Sequence, residues 1–338
     1  MSAHRCGEIE GLSLTRPDGH NQSGTDWHSV LRRCARGARI VRTETLTRRE
    51  VLAAALGAVT TAAVGGRLSA ASAERWPVKI GCGTVSFRKQ SLREALERIH
   101  RAGYKYVEPQ ATGPWCPHVD VWKSDPAEFR RLLTEFGFEG ATALWAPDGA
   151  LIPNPKSLEG VSRAVRWAHE AGIAVVNCGD GRKPQTMSDA DALKVLGERL
   201  AAILEVAEKC QVYLAIEPHG TFSVTAEGLK KILGLSRSKW LGINYDTANV
   251  HHAGSDEVAT LRAVVERVMH VHVKDTVGNQ CVALGQGEVN LRGCLQVLKQ
   301  HGYAGVLSLE TEGEFEADQV QPLIGASRQY LVNAVAEI

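Results

Sequence analysis

The chain has 338 residues, 44% of them apolar and 23% charged, with 39 Lys plus Arg against 38 Asp plus Glu. These are globular proportions, and they exclude disorder, collagen and coiled coil as the overall state. The even charge removes the basic excess that nucleic-acid binding calls for. Eight Cys are too few for a disulfide scaffold, and the longest weakly polar run, residues 51–64, is too short to span a bilayer.

Residues 1–73 hold ten Arg, six acids and no Lys, whereas the remainder holds 29 basic and 32 acidic residues. The segment Thr47-Arg48-Arg49-Glu50-Val51-Leu52 resembles a twin-arginine (Tat) export signal. A run of small apolar residues follows it, and Ala71-Ser72-Ala73 has the small-x-small spacing of a peptidase site. Residues 1–73 are therefore expected to be an N-terminal extension with a signal peptide, cleaved after Ala73. The mature protein is expected in the periplasm with no stable membrane anchor.

From Pro77 onward strand and helix patterns alternate. Strands are expected over 78–82, 104–108, 138–144, 174–177, 212–217, 241–246, 269–274 and 306–310. Each is followed by a helical pattern, over 92–101, 126–136, 158–171, 189–209, 225–235, 256–267, 291–301 and 318–335. Leu92, Ala95, Leu96 and Ile99 share one face of the first helix, Ser188 is a suitable N-cap for the fourth, and Gly103 and Gly172 stop two of them. Eight βα units in about 265 residues match a (β/α)8 TIM barrel of typical size. A doubly wound open sheet has the same periodicity, and count and length together favour the barrel, as a single α/β domain over 77–338.

Barrel chemistry sits at the C-terminal ends of strands. Strand five ends in Glu217-Pro218-His219, strand six in Asp246-Thr247-Ala248-Asn249, and strand eight in Glu310. Strand seven reads His270-Val271-His272-Val273-Lys274-Asp275. One strand-end Glu is ordinarily a helix cap or an ion-pair partner. Three carboxylates without partners would repel one another and raise their pKa values, and a divalent cation removes that conflict. Three carboxylates and one imidazole suit Mn²⁺, Mg²⁺ or Co²⁺ better than a thiolate-type zinc site does. The six Cys beyond residue 73 show no metal spacing.

The stretches Ile216-Glu217-Pro218-His219, Tyr245-Asp246-Thr247-Ala248-Asn249, His270 to Asp275, Gly285-Gln286-Gly287-Glu288-Val289, and Gly302-Tyr303-Ala304-Gly305 leading to Glu310 resemble the xylose isomerase-like TIM-barrel superfamily, in its sugar phosphate isomerase/epimerase branch. The resemblance implies metal ligands Glu217, Asp246, His272 and Glu310, and one divalent ion, Mn²⁺ first, with Mg²⁺, Co²⁺ or Zn²⁺ as alternatives. It implies an isomerase or epimerase that acts on a keto sugar or related polyol through an enediolate, with Glu217 and Glu310 as the acid/base pair. His219, Asn249, Lys274, Glu108 and Trp145 are expected to contact substrate. Trp115 is a further stacking candidate and Arg182 with Lys183 an anion-binding one. The expected partner is a small sugar, unphosphorylated if the protein is exported, and a homo-oligomer is compatible with this reading.

The sequence departs from the ketose 3-epimerase pattern, with Ser223 where that branch has a second Glu and Gly278 where it has an Arg. A dehydratase or lyase acting on an inosose or a 3-keto-glycoside is therefore the alternative. Type IV endonucleases of the same superfamily carry an Asp-x-His that residues 279–284 lack, and Asn249 stands where they have a ligand His. A non-catalytic sugar-binding barrel is the third class, and metal content separates it from the enzymes.

Overall fold

The computed structural model describes residues 76–338, so the export segment and its cleavage site lie outside the described residues. The strands are β1 (Lys79–Gly83), β2 (Tyr106–Glu108), β3 (Gly140–Ala141), β4 (Leu144–Ala150), β5 (Val175–Gly179), β6 (Tyr213–Glu217), β7 (Leu241–Asp246), β8 (Val268–Val273), β9 (Thr276–Val277), β10 (Gln280–Cys281) and β11 (Val306–Leu309). The α-helices are α1 (Leu92–Arg101), α2 (Pro126–Glu135), α3 (Ser157–Ala171), α4 (Asp189–Cys210), α5 (Ala226–Gly234), α6 (Thr247–His252), α7 (Glu257–Val264), α8 (Leu291–Gln300) and α9 (Ala317–Glu337).

Nine parallel strands run in the order β3-β2-β1-β11-β8-β7-β6-β5-β4. β3 and β4 are two halves of one stave, interrupted at Thr142-Ala143. β3 pairs with β2 on one side and β4 pairs with β5 on the other. Bonds from Ala111 N–H to Trp145 O and from Thr142 N–H to Val107 O join the two edges, so the sheet is a nearly closed eight-stave TIM barrel. The third stave runs past its expected end at Leu144 because Pro147, Asp148 and Gly149 shift its register instead of ending it. Asp148 has a left-handed φ of 54°.

The helices form for local reasons. Ser91 and Glu94 make a reciprocal capping box on α1, which buries Ala95, Leu96 and Ile99. The Ser188 side chain caps α4 by accepting from Asp191 N–H. Leu214, Ile216, Ile243, Val271 and Leu307 are fully buried in the main core between barrel and helices. The inward face differs. Ala143, Val175 and Ala215 form a small separate apolar plug with Tyr213. Above it the same alternation turns polar, with Asn177, Asn244, His270 and Ser308 all buried. No described helix is long and apolar enough to cross a membrane.

Two features beyond the sequence expectation shape the rim. Asp246 is itself an N-cap, so the chain turns at once into the short helix α6. After β8, the buried Asp275 carboxylate accepts from the N–H groups of Thr276, Gly285, Gly287 and Val289, folding the β9–β10 hairpin back on the barrel. A Cβ on Gly287 would lie 2.1 Å from Asp275 Oδ1, so this turn requires glycine there.

A candidate metal centre at the strand ends

The last inward-facing positions of β6, β7 and β8 are Glu217, Asp246 and His272, and Glu310 follows β11 directly. One ligand atom from each of these four lies within 4.8 Å of the other three, and all four residues are buried. His272 Nδ1 stands 3.2 Å from Glu217 Oε2, 3.3 Å from Glu310 Oε2 and 3.9 Å from Asp246 Oδ2. The Asp246 carboxylate divides its work: Oδ1 accepts from Ala248 and Asn249 N–H, and Oδ2 faces the cluster.

Asp246 Oδ2 and Glu310 Oε2 are buried without a hydrogen bond of proper geometry. Their close cationic neighbour is the Lys274 ammonium, at 3.0 and 2.6 Å, which pairs with both carboxylates. Buried carboxylate oxygens in that state are costly. Oxygen donors converging beside one imidazole are the donor set a hard or borderline divalent ion takes. The residues present fit such an ion.

The electrostatics of this cluster have identifiable causes. Burial and the neighbouring Glu310 push Glu217 up to about 7. Burial also raises Asp246, against the pull of Lys274. For Glu310 burial is outweighed by His272 and Lys274, which hold it well below the usual carboxylate range. His272 is held well above the ordinary histidine value because Glu108, Glu310 and Glu217 outweigh its burial. His270 behaves oppositely. Burial dominates and lowers it to about 4, so it is a neutral core residue bonded to Asn244 Oδ1 at 2.9 Å.

Glu108 has a different place from the expected one. It is 1% exposed. Its Oε1 accepts from Asn177 Nδ2 and His272 Nε2, both at 2.8 Å, and its Oε2 accepts from Ser308 Oγ at 2.7 Å. The carboxylate therefore sits beneath His272 and fixes the ring with Nδ1 toward the ligand cluster. Its hydrogen-bonding capacity is taken up inside the protein, not by a cavity.

The remaining expected residues gather on the rim. Asn249, in the first turn of α6, donates to Glu217 Oε1 at 3.1 Å and lies 3.4 Å from His219 Nδ1. Lys274 is buried and also reaches Glu312 at 2.7 Å. Trp145, Trp115, His219 and Glu312 help to line a cavity of about 310 Å³. Cys82 and Cys178 are buried free thiols, and burial raises both, Cys82 up to about 12, which disfavours the thiolate form.

Four contributors are absent from the sequence reading. Asn244 donates to Glu217 Oε2 at 3.0 Å. It precedes Asp246 by two, so strand alternation alone places it on the same inward face. Ser308 stands in the same relation to Glu310. Glu312 continues that spacing beyond the strand. Asp180, after β5, accepts from Phe222 N–H, Ser223 N–H and Ser223 Oγ and so fixes the loop that carries His219. No sequence signal links Asp180 to a segment forty residues on.

A sequence model of the family described as "Xylose isomerase-like TIM barrel" matches residues 96–331. An uncharacterised protein of Methanocaldococcus jannaschii is 25% identical over 278 residues, covering 77% of this chain and 92% of that one. An L-ribulose-5-phosphate 3-epimerase of Shigella boydii is 26% identical over 176 residues, which is 51% of this chain and 61% of that enzyme. Among solved structures, an L-ribulose 3-epimerase superposes with a TM-score of 0.64 at 17% identity, covering 76% of this chain and 94% of the other. That likeness carries the fold.

Proposed function

This chain belongs to the xylose isomerase-like TIM barrel family, and we propose that within it the protein is a metal-dependent isomerase or epimerase of keto sugars. The observation that carries the reading is the convergence of Glu217, Asp246, His272 and Glu310 at adjoining strand ends, with two buried carboxylate oxygens lacking hydrogen bonds. Sugar epimerases among its relatives support the same class.

Glu217, Asp246, His272 and Glu310 would hold one divalent ion, whose Lewis acidity stabilises negative charge developing on neighbouring sugar oxygens. The chain's own residues supply the rest. Glu217 and Glu310 are the acid/base pair. One carboxylate takes the proton from the carbon beside the carbonyl, and the electron pair left behind forms the C=C bond of an enediolate. A proton returned to the same carbon from the other face inverts it, and one returned to the former carbonyl carbon moves the ketone. Lys274 adds fixed positive charge beside Glu310. Trp115 and Trp145 offer apolar walls for the sugar's C–H face, and His219 and Asn249 offer hydrogen bonds to its hydroxyls. If the export reading of residues 1–73 holds, the protein works in the periplasm, where an unphosphorylated sugar is the expected substrate.

A lyase reading shares the enediolate and differs in expelling a β-hydroxyl. It is favoured by the absence of two groups typical of ketose 3-epimerases: the Ser223 hydroxyl is bonded to Asp180 at 2.5 Å and Gly278 has no side chain.

The test begins with metal analysis of the purified protein beside a Glu217→Gln, Asp246→Asn double variant. About one divalent ion per chain, lost in the variant, is expected. Free and phosphorylated ketoses and 3-keto-glycosides are then incubated with the metal-loaded protein in D2O. Deuterium appearing beside the carbonyl marks the enediolate, and loss of water marks the lyase. A metal-loaded protein that exchanges no carbon-bound proton in any of them is not an enzyme of this class.

A further inference from the structure

The cavity beside the metal centre does not end at the sugar-sized compartment. Ala150, Gly181 and His219 line both the inner cavity of about 310 Å³ and a second one of about 860 Å³, so the two adjoin. The inner volume is near the lower end of the range for small-ligand sites, and the outer one approaches its top. Their chemistry differs. The inner wall carries two indoles and two acidic residues, Asp148 and Glu312. The outer wall carries Arg182, Gln185, Thr221, Asn249, His252 and Asn279, with no carboxylate and no aromatic carbocycle among the described residues.

We propose that the protein acts on a keto sugar that carries a second hydroxylated ring, with the reacting ring in the inner compartment and the glycosidically linked ring in the outer groove. This rests on the keto-sugar reading above and deepens it. A wall in which amide, hydroxyl, imidazole and guanidinium groups are interspersed with Pro218, Val224 and Ala253 offers donors, acceptors and apolar contacts, which is what a second ring's hydroxyls and C–H faces require. A compact anion such as a phosphate ester fits the groove less well. It needs convergent cations, and Lys183 is already held by Met187 O at 2.8 Å and Asp189 at 3.2 Å. That leaves Arg182, which makes no ion pair among the described residues, in a volume far larger than a phosphate. His219 belongs to both compartments, and its backbone N–H is fixed by Ser223 Oγ at 3.0 Å. It therefore stands where the bond between the two rings would pass.

The experiment measures binding to the full-length, Mn²⁺-loaded protein by calorimetry, using D-fructose, D-fructose 6-phosphate and two ketose disaccharides, isomaltulose and lactulose. At least one disaccharide is expected to bind about tenfold or more tightly than D-fructose. Gln185→Trp, at an exposed position, and separately Val224→Trp fill the groove and should bring the disaccharide down to the affinity of D-fructose. Two variants are used so that misfolding of one does not decide the result. Disaccharides that bind no better than D-fructose, or that keep their advantage in both folded variants, overturn the proposal. So does a preference for the phosphate ester over every neutral sugar. Failure of all four sugars to bind the metal-loaded protein would overturn the keto-sugar reading itself, and this inference with it.

Discussion

Replacing Glu108 by Gln separates a residue that orients a metal ligand from one that touches sugar. The change is nearly isosteric. The Gln carbonyl can keep the Asn177 and His272 donors, and its amide can donate to Ser308 Oγ, so the hydrogen-bond count survives. What is lost is the negative charge 2.8 Å from His272 Nε2. Charge-assisted hydrogen bonds are roughly twice as strong as neutral ones, and removing such an outer partner typically costs 10- to 100-fold in metal affinity. The expected loss is therefore about 1.4–2.7 kcal/mol of metal binding. Competition with a fluorescent chelator measures it, and the metal-free melting temperature serves as the control. Glu108→Ala is the wrong variant for this purpose. It leaves three buried donors unpaired, at about 1–3 kcal/mol each, and confounds affinity with folding. Metal affinity within twofold of the parent, combined with weakened sugar binding, would refute the reasoning and return Glu108 to the role expected from sequence.

Three further outcomes are expected. Metal affinity should rise with pH and fall as pH drops below about 7. The metal needs Glu217 ionised and His272 neutral, and in the metal-free protein Glu217 is raised to about 7 and His272 lies well above its ordinary value; affinity independent of pH between 5.5 and 8 would contradict this. Gly220→Ala should destabilise the fold by about 1–3 kcal/mol in urea unfolding, because its Cβ would sit 2.0 Å from Asp180 Oδ1; wild-type stability would show that the loop tie is not rigid. Lys274→Met should lower metal-free stability yet enlarge the rise in melting temperature on adding Mn²⁺. It removes the ammonium that stands 3.0 and 2.6 Å from two ligand carboxylates, and an unchanged rise would mean that Lys274 is electrostatically silent.

The residues of the candidate metal cluster were legible because strand period and strand end are both written locally. His270 and His272 are two apart and share a face, and Glu217, Asp246 and Glu310 each close an apolar run. The roles of other residues were not legible because they depend on what lies across the barrel. Glu108 looks the same in sequence as Glu217, a strand-end glutamate. It is the presence of Asn177, His272 and Ser308 around it, from three other strands, that holds its carboxylate inside the barrel. The short helix α6 was not legible because its N-cap, Asp246, is also a candidate metal ligand, so one residue carries two signals and the chemical one dominated. The broken third stave was missed because Thr142 and Ala143 fit a strand pattern. Only pairing with both neighbours exposes the break.

The charges around the centre decide what kind of ion it can hold. Glu217, Asp246 and Glu310 bring three negative charges into a buried space, and Lys274 brings one positive charge within 3.0 Å of two of them. A divalent ion brings these four groups to zero, and the ionised Glu108 carboxylate beneath His272 adds one further negative charge where solvent cannot screen it, so a monovalent ion leaves the larger imbalance. In the metal-free protein the nearest substitute is a proton on His272, which is why its Nδ1 lies against Glu217 and Glu310 and why its basicity is raised. That proton and the ion compete for one place, and Glu108 on the far side of the ring stabilises the imidazole in both states, as a charge partner of the protonated ring and as the acceptor that fixes Nε2–H when Nδ1 must be free. Glu312, with its side chain 29% exposed, is partly solvated and shares the Lys274 ammonium, at 2.7 Å, with the buried carboxylates. A sugar hydroxyl that hydrogen-bonds to Glu312 on the cavity wall would therefore also alter how the Lys274 charge is shared with Asp246 and Glu310.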